Sequence, residues 1–255
     1  MIDTHAHVHD PAFDSDRSTA IDRARERGVE TIVTVGCDLS DSGRARACAA
    51  EWGIYASAGI HPHEAKDAPA DVGAALGPML DDPHVVAVGE TGLDYYYDRS
   101  PHDVQVRVLR DQIRLARERK LPLIFHHRDA FRDFATILEE EFADGMRGVV
   151  HCFTGDAEQA RTYVERFKLK LGVGGVITFK HADTIRNAIA AVGIGACILE
   201  TDCPYLAPVP HRGKRNEPSF VAETAAILAQ VTGTTLGETD AITTENARVL
   251  FNLPI

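Results

Sequence analysis

No two cysteines in this chain stand in a Cys-Xaa-Xaa-Cys spacing; the five present, Cys37, Cys48, Cys152, Cys197 and Cys203, are odd in number and widely separated. Reduced thiols are the simplest account. No apolar run approaches the roughly 18 residues of a membrane span, and the N-terminus lacks the basic region and apolar core of a secretory signal. A cytoplasmic location without membrane association is the expectation. Positive charge is also scarce, with 27 Lys and Arg against 38 Asp and Glu, a formal net charge of -11. That balance argues against broad, non-specific binding along nucleic acid, which depends on cationic side chains displacing phosphate counterions, but it permits one phosphate in a small pocket. A Walker-type phosphate loop and a Gly-Xaa-Ser-Xaa-Gly elbow are both missing, and Gly172-Val173-Gly174-Gly175 lacks the spacing of a dinucleotide fingerprint. No Pro-, Gly- or Ser-rich linker, short repeat or low-complexity segment divides the chain, so residues 1–255 are expected to form a single domain.

What is present is an ordinary globular composition, 44% hydrophobic and 25% charged, arranged as strand, loop and helix in repetition. Strand-like runs are the opening segment, Thr31 to Gly36, Ile54 to Ile60, Val85 to Gly89, Leu121 to Phe125, Gly148 to Val150, Leu169 to Val173 and Ala196 to Leu199. Helical stretches lie between them, for example from Asp16 to Arg27, closed by Gly28. The clearest runs from Pro101 to Lys120, with Ser100 as its expected cap and Leu109, Ile113 and Ala116 as its apolar stripe. Further helices are expected from about Pro218 to Phe251. Eight buried strands alternating with helices imply a parallel sheet, and at about 250 residues closure into an α/β TIM-type (β/α)8 barrel is the natural result. An open doubly wound sheet is the alternative.

In such a barrel the chemistry gathers at the C-terminal ends of the strands. His5 and His7 follow the first strand, and the strand period of two points both imidazoles the same way. His61 and His63 follow the third, Glu90 the fourth, His126, His127 and Arg128 the fifth, His151 the sixth, and Glu200 and Asp202 the eighth. Histidine and carboxylate are the ligand types for zinc, manganese or a similar ion, and four histidines with two carboxylates suffice for two ions if one carboxylate bridges. Two ions about 4 Å apart are a recurrent device for phosphoester hydrolysis.

The ordered set DTHAH, GIHPH, GETGLDYYYD, HHRDA, HCFTG, ETDCPYLAP, RGKRNEP and TTENARVLF resembles the TatD family of metal-dependent deoxyribonucleases, within the amidohydrolase-like barrels, over nearly the whole chain. The resemblance implies that His5, His7 and Asp202 hold one divalent ion (Mg, Mn or Zn), that His126 and His151 hold a second, that Glu90 bridges them, and that His61 and His63 lie near the scissile phosphate or its water. Two positions depart from the family's pattern. His127 stands where a small hydroxyl residue is usual, and because strand neighbours alternate in direction only one of His126 and His127 is expected to reach the metal, the family pattern favouring His126. Cys203 stands where serine is usual after Asp202, which changes a hydrogen bond around the ligands but not the ligand set.

The reaction expected is hydrolysis of DNA phosphodiester bonds from an end or in single strands, with Glu90, Asp202 and His61 as catalytic groups and Asp202 taking the water's proton. Arg128 and the loop bearing Arg212, Lys214 and Arg215 are candidate phosphate contacts, and Tyr95, Tyr96, Tyr97, Phe153 and Tyr205 candidate stacking partners. DNA is the expected partner, and no obligate protein partner is implied. A first alternative is hydrolysis of an amide, lactone or ester, including aminoacyl-RNA, on the same metals. Such barrels often bridge their ions with a carboxylated lysine, whereas here Glu90 stands at the corresponding strand end. A second alternative is a non-enzymatic module binding metal or nucleic acid.

Overall fold

The computed structural model describes residues 1–254; residue 255 of the expected domain lies outside the described residues. Eight parallel strands follow one another in the sheet in numerical order: β1 (Ile2–Ala6), β2 (Thr31–Val35), β3 (Tyr55–Ala58), β4 (Val85–Asp94), β5 (Leu123–Arg128), β6 (Gly148–Val150), β7 (Lys170–Val173) and β8 (Cys197–Leu199). Between and after them lie α1 (Arg17–Glu26), α2 (Leu39–Trp52), α3 (Val72–Leu80), α4 (His102–Arg119), α5 (Phe131–Glu141), α6 (Ala157–Arg161), α7 (Asp183–Val192), α8 (Val221–Thr232) and α9 (Leu236–Phe251). An unbroken order of this kind is the (β/α)8 barrel class; a doubly wound sheet reverses its order at a switch point, and none occurs here.

Two compact units are distinguished, one made of Met1–Thr34 with Cys152–Ile255 and the other of Val35–His151. In the first, β1 pairs with β2, β7 pairs with β8, and a parallel bridge joins Ala6 to Cys203, just past β8. Asp3 fastens this junction. Its fully buried carboxyl accepts from the Thr201 amide at 2.9 Å, the Thr201 hydroxyl at 2.6 Å and the His5 amide at 3.4 Å. Burial pushes its pKa up to about 8, against the lowering effect of those donors.

In the second unit β4 pairs with β3 and β5, and β5 with β6. Here two strands run further than the apolar pattern indicates. β4 continues past Gly89 to Asp94 and β5 past Phe125 to Arg128, because the ladder persists with Gly92 opposite His126 and Asp94 opposite Arg128. Glu90 and His126 therefore lie within strands rather than after them. Gly92 has φ +153°, and a Cβ there would stand 1.8 Å from the His126 carbonyl oxygen, so only glycine allows this approach.

The helix α4 explains how the second unit holds its strand ends. Leu109, Ile113 and Ala116 are fully buried, as their spacing implies, each large side chain contributing about 1.5–3 kcal/mol. Gln105 and Gln112 share that face and are also buried. The Gln112 amide accepts from the Ile60 N–H (2.8 Å) and donates to the Ile60 carbonyl (3.0 Å) and the Thr91 hydroxyl (2.7 Å). Gln105 accepts from the Asp94 N–H (2.9 Å) and donates to the carbonyls of Asp94 (3.2 Å) and Ser100 (2.8 Å). Ser100 is not the helix cap: Pro101 occupies that position, and the Ser100 hydroxyl accepts from the Lys66 amide (3.1 Å) and donates to the His63 carbonyl (2.9 Å).

Candidate active site

Within the unit Val35–His151, one carboxylate oxygen gathers three imidazoles. Glu90 Oε1 lies 3.0 Å from His126 Nδ1, 3.0 Å from His151 Nε2 and 3.4 Å from His61 Nε2. Glu90 is buried, and its amide donates to the Gly36 carbonyl, which fixes the strand beneath it. The His61, Glu90 and His126 ligand atoms lie within 4.8 Å of one another, a spacing that can hold a metal ion.

The tautomers sharpen this picture. His61 Nδ1 accepts from the His63 amide (3.1 Å), and burial lowers the His61 pKa to about 4 despite the raising effect of Glu90. Burial thus favours the neutral ring, and with Nδ1 taken by the His63 amide, Nε2 is the nitrogen that faces Glu90. His126 is held from its other side: Nε2 lies 2.9 Å from Asp94 Oδ2, which His63 Nε2 also approaches at 2.9 Å. Burial opposes ionisation of Asp94, but the His126 and His63 imidazoles and the Tyr97 amide outweigh it and hold the carboxyl far below its usual range. With Nε2–H donating to Asp94, a neutral His126 turns an Nδ1 lone pair toward a Glu90 oxygen. Two acceptors at 3.0 Å require a positive charge between them, either a proton or a metal cation. Burial lowers the His126 pKa, yet Asp94 and Glu90 raise it more, which expresses the same demand. The donor set, imidazole nitrogen with carboxylate oxygen, fits a divalent cation.

Asp94 is the residue of this cluster that the sequence alone does not single out. It lies four residues beyond Glu90 in β4, on the same strand face, and that periodicity was its available signal. Asp94→Asn, which weakens the acceptor orienting His126 and His63, is expected to reduce affinity for Mn or Zn by about 10- to 100-fold in a direct titration. Unchanged affinity would remove Asp94 from this role.

In the other unit, His5 and His7 converge on Asp202. Asp202 Oδ1 lies 3.8 Å from His5 Nε2 and 3.5 Å from His7 Nε2. Backbone bonds set this meeting: the Asp202 amide donates to the His5 carbonyl (2.8 Å) and the His7 amide to the Cys203 carbonyl (2.7 Å). Asn216 pins the same loop by donating to the carbonyls of Thr201 (2.8 Å) and Tyr205 (2.6 Å). The Cys203 thiol is fully buried and pushed well above its ordinary pKa by that burial. Glu200, the other carboxylate at this strand end, accepts from the Cys152 amide at 2.5 Å.

The remaining candidates divide by environment. His127 turns away from His126: its ring packs 5.4 Å from Phe134 and 6.2 Å from Phe131, and burial lowers its pKa to about 4. Tyr205 is 56% exposed, with its ring 6.1 Å from that of His7. Arg128, Tyr96 and Tyr97 form an exposed cluster. Phe153, in contrast, is buried and cannot offer a face to a base, and Tyr95 stacks on His102 at 3.7 Å. Arg215 pairs with Asp16 through contacts of 2.7 and 2.8 Å, and Arg212 lies over Phe179 at 3.9 Å and donates to the Ala207 carbonyl at 3.0 Å.

The sequence model of the family described as TatD related DNase matches residues 2–252. The uncharacterized metal-dependent hydrolase YabD of Bacillus subtilis (strain 168) is 43% identical over 254 residues, covering 99% of this chain and 99% of YabD. A protein of Rahnella sp. (strain Y9602) named 3'-5' ssDNA/RNA exonuclease TatD is 36% identical over 248 residues, covering 94% of each chain. The crystal structure of YJJV, a TatD homolog from Escherichia coli K12, has a TM-score of 0.93 at 32% identity and covers 100% of this chain and 98% of its own.

Proposed function

This chain belongs to the family of TatD-related DNases, metal-dependent hydrolases, and from that premise we propose that it hydrolyses phosphodiester bonds of single-stranded DNA, and of RNA, from the 3′ end. The observation that carries the reading is the Glu90 oxygen facing three imidazoles, one of them oriented from behind by Asp94. The activity named for the Rahnella relative supports the substrate and its polarity.

In this reading His5, His7 and Asp202 would hold one divalent cation, and Glu90, His126 and His151 a second. Bound there, Mg, Mn or Zn supplies Lewis acidity toward water and the phosphate oxygens. Asp202 orients the attacking water and takes its proton. His61, whose Nε2 faces Glu90, and His63, whose Nε2 meets Asp94, would lie near the scissile phosphate or its water. Arg128 contacts a phosphate oxygen and Tyr205 a base. No helix among the described residues is long and apolar enough to cross a membrane. The proposal places the chain in the cytoplasm, where its five cysteines, none of them in a disulfide, stay reduced.

End-labelled single-stranded oligonucleotides incubated with Mg, Mn or Zn are expected to shorten from the 3′ end, and chelator to stop the reaction. Turnover of amide or ester substrates, aminoacyl-RNA included, with no oligonucleotide product under any metal would replace this reading with hydrolysis of another bond. Binding without any turnover would leave a binding module.

A further inference from the structure

The β4 end carries two large aromatic side chains into solvent directly beside the histidines. Tyr96 is 57% and Tyr97 49% exposed, and the amides of both donate to Asp94 Oδ1, at 3.0 and 2.8 Å. The second oxygen of that carboxylate is the one that meets His63 and His126. The aromatic pair is thus tied to His63 and His126 through a single side chain. Arg128 stands opposite Asp94 in the β5 register and carries its guanidinium 4.0 Å over the Tyr96 ring and 4.8 Å over the Tyr97 ring. Arg99 lies 5.4 Å over Tyr97, and the His63 ring meets Tyr97 edge-on at 5.4 Å.

These groups combine flat π faces with two guanidinium groups in a chain whose net charge is -11. A surface of that chemistry matches a nucleotide: a base stacks on an aromatic ring or on an arginine plane, and the phosphate beside it meets the guanidinium edge. A base inside a duplex offers no open face, and a terminal pair offers only its outer one while its edge is held by its partner, so the surface favours unpaired nucleotides and tolerates any of the four bases.

We propose that Tyr96, Tyr97, Arg99 and Arg128 form a stacking platform for the unpaired 3′-terminal nucleotides of a single strand, and that this platform determines the preference for single-stranded ends. The proposal rests on the nuclease reading above and deepens it: the cations act on the bond, while the platform selects the strand. Tyr95 is excluded from the platform by its stack on His102 and its 2.9 Å hydrogen bond to Asp133.

The test uses the full chain in EDTA, so that binding is read without cleavage, with an oligonucleotide bearing 2-aminopurine at its 3′ end. Fluorescence quenching on binding is expected for the single strand and not for the same label in a blunt duplex. The Tyr96→Ala/Tyr97→Ala protein is expected to bind at least about tenfold more weakly and to lose the quench. Tyr96→Phe/Tyr97→Phe, which keeps both rings, is expected to retain it. Equal quenching by the alanine protein, equal binding of duplex and single strand, or loss of the quench in the phenylalanine protein would overturn the platform. Shortening of the strand by the wild-type protein once metal is restored reports separately on the nuclease reading, so the two can fail independently.

Discussion

Replacing Glu90 with alanine is expected to lower kcat/KM for single-stranded DNA by on the order of 10³-fold or more, a loss of about 4 kcal/mol of transition-state stabilisation. The size follows from what one oxygen does. Glu90 Oε1 faces His126, His151 and His61 at 3.0, 3.0 and 3.4 Å, so its removal takes the shared carboxylate from all three imidazoles together. A neutral substitute of the same shape, Glu90→Gln, is expected to fail nearly as badly, because a carboxamide oxygen carries too little charge to hold cations. Folding should survive in both variants. The side chain is buried among polar groups and not in the apolar core, so the metal-free melting temperature is expected to stay within several degrees of wild type. DNA cleavage undiminished in Glu90→Ala would exclude Glu90 as a cation-holding carboxylate.

Asp202→Asn is expected to produce the second large effect, a loss of cation at the His5 and His7 side and a fall in turnover of about 10³-fold. Asp202 has φ +58°, in the left-handed region, where asparagine is tolerated and alanine is strained by about 1–2 kcal/mol. Asparagine therefore removes the charge without disturbing the turn, which the Asp202 amide bond to the His5 carbonyl and the Asn216 bonds continue to hold. Metal analysis of the dialysed variant is expected to show reduced occupancy. Occupancy equal to wild type would show that His5 and His7 hold their ion without Asp202.

The strand ends were legible because two short-range regularities mark them. Alternation in a strand aims His5 and His7 together, and it separates His126, which meets Glu90 and Asp94, from His127, which packs among phenylalanines. The barrel was legible from eight apolar runs separated by helical stretches. Less visible was how far β4 and β5 extend, since Gly89, Gly92 and the histidines end the apolar signal while backbone pairing continues. Least visible were the side chains that satisfy distant backbone. Gln105 and Gln112 sit in the buried face of α4 as apparent interruptions of its stripe, yet they hold Asp94 and Ile60. Asp3 precedes the conspicuous histidines as an ordinary acidic residue, and its role depends on Thr201, nearly two hundred positions away. Ser100 reads as a helix cap by position and instead braces the His63 loop. Each of these bonds is set by tertiary packing, to which local propensity is blind.

The central claim, that this chain cleaves nucleic acid through cations held by the Glu90, Asp202 and histidine sets, is tested most directly by titrating metal-stripped protein with Mn or Zn while following release of nucleotides from a 3′-labelled single strand. Stripped protein is expected to release nothing, and activity to rise to a plateau at two equivalents of cation per chain. Full activity in the stripped protein, or no release at any cation concentration, would contradict it.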